Sequence, residues 1–205
     1  YKLIEKLYPC RKTLLGDAGQ SVNPYCSSTA DMIRRVLGTG EVMKLCKSYR
    51  STFEITGFAQ QRRINKELEP VLRHGAPPQI MKFKNAGEEI RGIAELLYAY
   101  HKSGYQSLAI ICKTESLAKE MSENLKKTTD NIYLITHRSS AFVKGIMVMS
   151  AHMAKGLEFD EVMIPQVDEG NYSSEIDRNM LYVAITRAMH RLTITYSGNR
   201  SPFIP

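Results

Sequence analysis

Several large classes of protein are excluded by what this chain lacks. It has four cysteines in 205 residues, Cys10, Cys26, Cys46 and Cys112, with no CxxC pair and no close histidine partner. Neither a structural zinc site nor a disulfide framework is indicated, and the thiols read as reduced and cytosolic. The longest strongly apolar runs, residues 107–112 and 146–149, are far shorter than the roughly 20 residues a membrane-spanning helix needs. Tyr1 begins no secretory signal, so a cytoplasmic protein without a membrane partner is expected. The five histidines, at 74, 101, 137, 152 and 190, lack the i, i+4 spacing that sets two metal ligands on one helix face. No G-x-S-x-G elbow is present to support covalent hydrolase chemistry, and there are no repeats or low-complexity tracts.

What remains is a globular chain with a charge excess. Hydrophobic residues make up 43 % and charged residues 24 %, close to the averages for folded domains, which argues against disorder. Lys and Arg number 28 against 21 Asp and Glu, and the formal charge of +7 favours polyanionic partners such as nucleic acid or nucleotides.

Strands alternate with helices along the chain. Residues 12–15, followed by Gly16 and Asp17, read as a short buried strand ending on a turn, where α/β proteins place ligand-facing residues. Ser28 or Thr29 can cap a helix bearing Met32, Ile33, Val36 and Leu37, with Gly38 as its stop. A strand is expected over 42–46, and Thr52 caps a helix through Phe53, Ile55, Phe58 and Ala59, with a loop at 75–78. The clearest helical period runs over 88–102, with Ile90, Ile93, Ala94, Leu97 and Tyr100 on one stripe and Gly104 as terminator. A strand at 107–112, a helix at 114–127, strands at 132–135, 146–150 and 162–167, a helix at 175–189 and a strand at 192–196 follow. Such alternation predicts a mostly parallel sheet with helices on both faces. Met147, Met149, Met153 and Met163 fall with a strand-like alternation, which predicts core packing rather than a soft-metal site.

Four segments carry chemistry in a set order. They are Leu15-Gly16-Asp17-Ala18-Gly19-Gln20-Ser21, Ser48-Tyr49-Arg50-Ser51-Thr52, the run from Ser150 to Phe159 (SAHMAKGLEF), and the run from Leu181 to Ala188 (LYVAITRA). Together they resemble the G-D-x-x-Q-S, Y-R-S/T, T-x-H-x-x-K-G-L-E-F and L-Y-V-A-x-T-R-A motifs of the UvrD/Rep-like superfamily 1 helicases. The resemblance implies a RecA-like α/β motor domain of the P-loop NTPase type. It divides the chain into a C-terminal remnant of the first motor domain at 1–43 and the second motor domain at 44–205.

By this resemblance Arg50 and Arg187 are the arginines that meet the γ-phosphate of ATP. Gln20 senses that phosphate and the attacking water, Tyr49 stacks on the base, Glu158 accepts a ribose hydroxyl, and Gly156 lets the backbone turn beside the nucleotide. Arginine suits the task because its guanidinium stays ionised and offers a planar fork of donors to phosphate oxygens. On the nucleic-acid side the resemblance assigns His152, Lys113 and the stacking aromatic Tyr25 to single-stranded DNA, or to a duplex with a single-stranded tail. Lys155 is expected to link the motifs rather than to touch ligand. Asn23 and Glu115 depart from the family pattern, which more often has an aromatic and an asparagine there.

The chain has no G-x-x-x-x-G-K-[ST] phosphate loop and no acidic pair for magnesium. ATP and Mg²⁺ are therefore expected to be held largely by a preceding motor domain, the chain being the C-terminal part of a longer polypeptide and inactive alone. Residues 127–145 are too few for the accessory subdomain that many relatives insert there, which points to the compact helicase IV-like and HelD-like branch. The leading expectation is an ATP-dependent DNA helicase or translocase. The alternatives are an ATPase that remodels RNA polymerase, as in the HelD-like branch, and a non-catalytic nucleic-acid-binding module.

Overall fold

The computed structural model describes residues 2–8, 10–16, 30–38, 43–61, 69–139 and 145–205. In chain order the elements are α1 (Lys2–Leu7), α2 (Ala30–Leu37), β1 (Lys47–Ser48), α3 (Phe53–Gln61), β2 (Glu69–Pro70), β3 (Gln79–Phe83), α4 (Ala86–Tyr100), β4 (Ser107–Cys112), α5 (Glu115–Leu125), β5 (Ile132–Leu134), β6 (Gly145–Ser150), β7 (Phe159–Ile164), α6 (Glu175–Ile185) and β8 (Ala188–Ser197). Strands β3 to β8 form one sheet in the order β3-β8-β7-β4-β6-β5, and every pairing in it is parallel. β1 and β2 make a separate two-stranded parallel pair.

The sheet is covered on both faces, as the alternation predicts. β4 shows why: Ala109 and Ile111 face one core with Ile55 and Ala59 of α3 and Leu181, Ala184 and Ile185 of α6. Leu108, Ile110 and Cys112 face the other core with Ile93 and Leu97 of α4 and Met121 and Leu125 of α5. A strand buried on both sides reads as an unbroken apolar run, which is what SLAIIC is. Met147, Met149 and Met163 are buried in these cores.

Helix ends follow local chemistry. The Asn85 side chain accepts from the Glu88 N–H at 2.9 Å to start α4, and Thr114 does the same from Leu117 N–H at 3.2 Å to start α5. Ser174 and Asp177 form a reciprocal capping box at the start of α6. Glu89, buried in the first turn of α4, accepts from Gln166 N–H at 2.8 Å and Thr195 Oγ1 at 2.5 Å, tying α4 to the C-terminal ends of β7 and β8.

Several expected boundaries move. Residues 12–15 are not a strand: Leu14 and Leu15 are exposed, and among the described residues no strand pairs with them. Residues 43–46 are likewise irregular, with Met43 and Leu45 exposed, and the strand falls instead on Lys47–Ser48; Val42 lies outside the described residues, as do the capping Ser28 and Thr29. β7 begins at Phe159 and stops before Gln166, whose φ of 57° breaks the extended backbone. α6 ends at Ile185 because the Thr186 hydroxyl and the Arg187 guanidinium take the Val183 carbonyl, and β8 starts at once with Ala188. β3 has no counterpart in the predicted elements. Cys10, Cys46 and Cys112 are unpaired, and among the described residues no helix is long and apolar enough to cross a membrane.

Gly92 of α4 sits under the Phe83 ring at the end of β3; a Cβ there would lie 2.2 Å from the ring. Gly92→Ala should therefore lower stability by about 1–3 kcal/mol through overpacking, against the gain of about 1 kcal/mol that the same change brings to an uncrowded helix. Urea denaturation reads the sign directly.

Candidate functional site

Three segments meet at the N-terminal edge of β7 and β8. The first is residues 47–52. The Ser51 hydroxyl donates to the Ala188 carbonyl at 2.6 Å, and Thr52 Oγ1 accepts from Ile55 N–H at 3.4 Å to start α3. Arg73 donates to the Arg50 carbonyl, and to that of Met189 at 3.1 Å, so the backbone at Arg50 is held from both sides. Behind this turn, Glu54 pairs with His74 at 2.8 Å and accepts from Gly75 N–H at 2.9 Å; the hydrogen bond from His74, then those from the backbone, hold its carboxyl down at about 2. Gly75 is needed for this close approach, since a Cβ would lie 2.6 Å from Thr52 Cγ2.

The second and third segments are residues 157–159 and 182–188. With the first they enclose a cavity of about 450 Å³, whose lining includes Lys47, Tyr49, Arg50, Glu158, Tyr182 and Thr186. That volume is in the range of small-ligand sites. Tyr49 is 72 % exposed, leaving a ring face open beside Arg50. Arg50 Nε donates to Glu158 Oε1 at 2.5 Å, and Arg50 Nη1 reaches the Thr186 carbonyl at 3.5 Å. Tyr49, Arg50 and Glu158, which the motifs assign to one ligand, are thus neighbours across 108 residues of sequence.

Arg187 lies beside the cavity rather than in its lining. It is 1 % exposed, and its guanidinium donates to the Val183 carbonyl at 3.1 Å, the Leu157 carbonyl at 3.2 Å and Thr186 Oγ1 at 3.0 Å. It closes the C-terminus of α6 and fastens it to the residue before Glu158. Gly156 has φ +91°, yet nothing lies within 4 Å of where its Cβ would be. Backbone conformation, not crowding, requires glycine there.

Lys113 and His152 stand at the opposite, C-terminal edge, where Ala151 N–H donates to the Cys112 carbonyl at 2.8 Å. His152 and Lys155 are exposed. Lys113 pairs with Asp177 at 2.7 Å and also donates to the Asn171 carbonyl, so its ammonium holds the loop before α6. Burial pushes the Asp177 carboxyl up, but hydrogen bonds from Lys113, Ser174 and Ser173 outweigh it and leave the group below the usual range. Gln20 and Tyr25 lie outside the described residues.

Lys47, Thr56, Tyr182 and Thr186 join the cavity without having been singled out in the sequence. Tyr182 and Thr186 stand inside the LYVAITRA run, so that run held the signal for them. Arg73 had none, because its part is played toward backbone carbonyls.

Part of the chain is similar to known proteins. Residues 131–199 match the UvrD-like helicase C-terminal domain. DNA helicase II of Escherichia coli is 38 % identical over 65 residues, covering 27 % of this chain and 9 % of that protein. DNA helicase II of Haemophilus influenzae is 33 % identical over 96 residues, covering 38 % and 13 %, and the ATP-dependent DNA helicase PcrA of Staphylococcus aureus is 37 % identical over 71 residues, covering 29 % and 10 %. The chain therefore matches only about a tenth of the length of these relatives. The crystal structure of the C-terminal domain of a possible DNA helicase from Lactobacillus plantarum superposes with a TM-score of 0.66 at 29 % identity, covering 76 % of this chain and 91 % of that one. Residues 131–199 thus resemble a UvrD-like helicase C-terminal domain, and the parallel α/β sheet is the fold shared with the Lactobacillus plantarum domain.

Proposed function

We propose that this chain is the second motor domain of an ATP-dependent DNA helicase or translocase, and that the cavity at the N-terminal edge of β7 and β8 receives the nucleotide. The observation that carries the reading is the convergence of Tyr49, Arg50 and Glu158 on one cavity. Each side chain suits a different part of a nucleoside triphosphate. Tyr49 offers an open aromatic face to the base, Arg50 a fork of donors to phosphate oxygens, and Glu158 an acceptor for sugar hydroxyls. Hydrolysis of bound ATP supplies the free energy for opening and closing the cleft between two motor domains.

The chain's own part is electrostatic. Arg50 neutralises charge that builds on the terminal phosphate, and it stands ready to do so because Ser51, Thr52 and Arg73 fix the backbone beneath it. Arg187 joins it by exchanging the Leu157 and Val183 carbonyls for a phosphate oxygen when the domains close. Among the described residues Glu158 is the one carboxylate in the cavity lining, and it is already paired. At the opposite edge the exposed His152 faces single-stranded DNA, with Lys113 beside it holding the loop before α6; contacts there that tolerate any sequence are what a translocating motor requires. Residues 150–158 join the two edges and carry His152 at one end and Glu158 at the other.

Two outcomes test this reading. Arg50→Ala in the full-length parent should lower ATP hydrolysis roughly 10³-fold or more while the chain's melting temperature stays near that of the unsubstituted protein. Turnover unchanged by Arg50→Ala would remove the cavity from the reaction. Arg187→Ala should lower hydrolysis too, but with a loss of stability on the order of 2 kcal/mol, because the Val183 and Leu157 carbonyls lose a charged donor. The 205-residue chain by itself should show no appreciable magnesium-dependent ATPase, as measured by phosphate release.

A further inference from the structure

We propose that a second cavity, at the N-terminal edge of β4, β6 and β5, binds a base and phosphate of single-stranded DNA, apart from both the nucleotide cavity and the His152 edge. Its volume is about 440 Å³, and its lining includes Tyr100, His101, Tyr105, Asn131 and Tyr133. It shares no lining residue with the cavity around Arg50. Gly145 and Ile146, the first residues of β6, also line it, whereas His152 follows the end of that strand. A six-residue strand, on the order of 20 Å, therefore separates the two places.

Among the described residues no carboxylate or ammonium enters the lining, so the site is aromatic and uncharged. Tyr105 is held from β8: its ring stacks on that of His190 at 5.2 Å, and the Arg191 guanidinium lies 5.1 Å from its centre. Gly145, at φ +130°, keeps a side chain away from Tyr133, since a Cβ there would stand 3.6 Å from the ring. Asn131 takes φ 60°, a left-handed conformation that asparagine tolerates, and its amide offers donors and an acceptor together. Aromatic rings with one amide suit a nucleobase, which has a π face and mixed donors and acceptors along its edge.

The surrounding charge suits the phosphate. α4 and α5 each precede a strand that starts at this edge, so their C-terminal ends emerge there with Lys102, Lys126 and Lys127. Lys102 follows His101 of the lining; its Nζ lies 4.4 Å from the centre of the Tyr98 ring, and among the described residues no carboxylate pairs with it. Burial, then the Asp160 and Glu161 carboxylates, push the Tyr100 phenol up, so it stays a neutral hydroxyl. Both carboxylates are engaged. Asp160 accepts from the Gln106 and Ser107 N–H groups, each at 3.0 Å, and Glu161 pairs with Arg191 at 3.2 Å. Asp130 is exposed at the same edge and offsets only one of the three lysines. Cations from two separate helix ends favour a strand, which brings several phosphates, over a free mononucleotide, which brings one.

Fluorescence anisotropy of a labelled oligothymidylate of about ten nucleotides, titrated with the 205-residue chain, tests the site. Tyr133→Leu should lower affinity roughly tenfold, the worth of one stacked base, and Tyr133→Phe should keep it. Lys102→Gln should reduce the slope of log affinity against log salt by about 0.7, the share of one phosphate on a single strand. Both effects should persist in a His152→Ala background. A salt slope that Lys102→Gln leaves unchanged overturns the site; Lys102 is exposed, so this readout stands whether or not Tyr133→Leu folds. A folded Tyr133→Leu chain with unchanged affinity overturns it too, as does absence of oligonucleotide binding. Effects that vanish in the His152→Ala background assign the strand to the C-terminal edge alone, and thymidine monophosphate binding as tight as the oligonucleotide assigns the cavity to free nucleotides; either result contradicts the proposal. The nucleotide cavity is tested separately, by Arg50→Ala.

Discussion

A wholly parallel sheet forces the chain to return from the C-terminal to the N-terminal edge between strands, and the two ends of this molecule are built on that requirement. Most returns are made by helices. Between β6 and β7 the chain has only residues 151–158, with β4 lying between those two strands in the sheet. The crossing is coiled: residues 151–156 run in turns, with the Ala154 N–H on the Ser150 carbonyl at 3.0 Å and the Leu157 N–H on the Ala154 carbonyl at 3.1 Å. Ala151, Ala154 and Phe159 bury this crossing in the core shared by α3 and α6, so it cannot shift without disturbing both. His152 therefore stands at one edge and Glu158 at the other, joined by the shortest crossing in the sheet. A short, packed link is a physical route by which events at one edge can bias the other.

The cavity edge is governed by how its positive charge is held. Arg50 and Arg187 are both occupied, the first by a carboxylate and the second by backbone carbonyls. The difference matters. A carboxylate partner makes Arg50 sensitive to what else enters the cavity, whereas carbonyl partners make Arg187 part of the frame that ends α6 and starts β8. Lys113 at the far edge is likewise engaged, with Asp177. The formal charge of +7 thus overstates how many cations stand ready for a polyanion.

Much of the sheet was legible because buried parallel strands are written as unbroken apolar runs: SLAIIC and GIMVMS are found where their composition puts them. α4 was legible through its single apolar stripe, while its start at the Asn85 cap was not. β3 was not, since QIMKF is an edge strand of five residues with an exposed lysine, and its partner β8 lies more than a hundred residues away. The strand expected over 12–15 failed for the complementary reason: Leu14 and Leu15 have apolar character, but among the described residues no strand pairs with them. In the site, Tyr49, Arg50 and Glu158 could be named from motifs, which record residue types at set spacings. The ion pair between Arg50 and Glu158 and the burial of Arg187 could not, because they depend on how α3, α6 and β8 meet.

The most direct measurement is an NMR titration of the isotope-labelled chain with a non-hydrolysable ATP analogue, followed at backbone amides and at the arginine Nε–H groups. The account predicts shifts concentrated at Tyr49, Arg50, Glu158 and Thr186, with the Arg50 Nε–H resonance moving as its partner changes from carboxylate to phosphate. Shifts confined to the C-terminal edge around Lys113 and His152, with the cavity resonances unmoved, would contradict it.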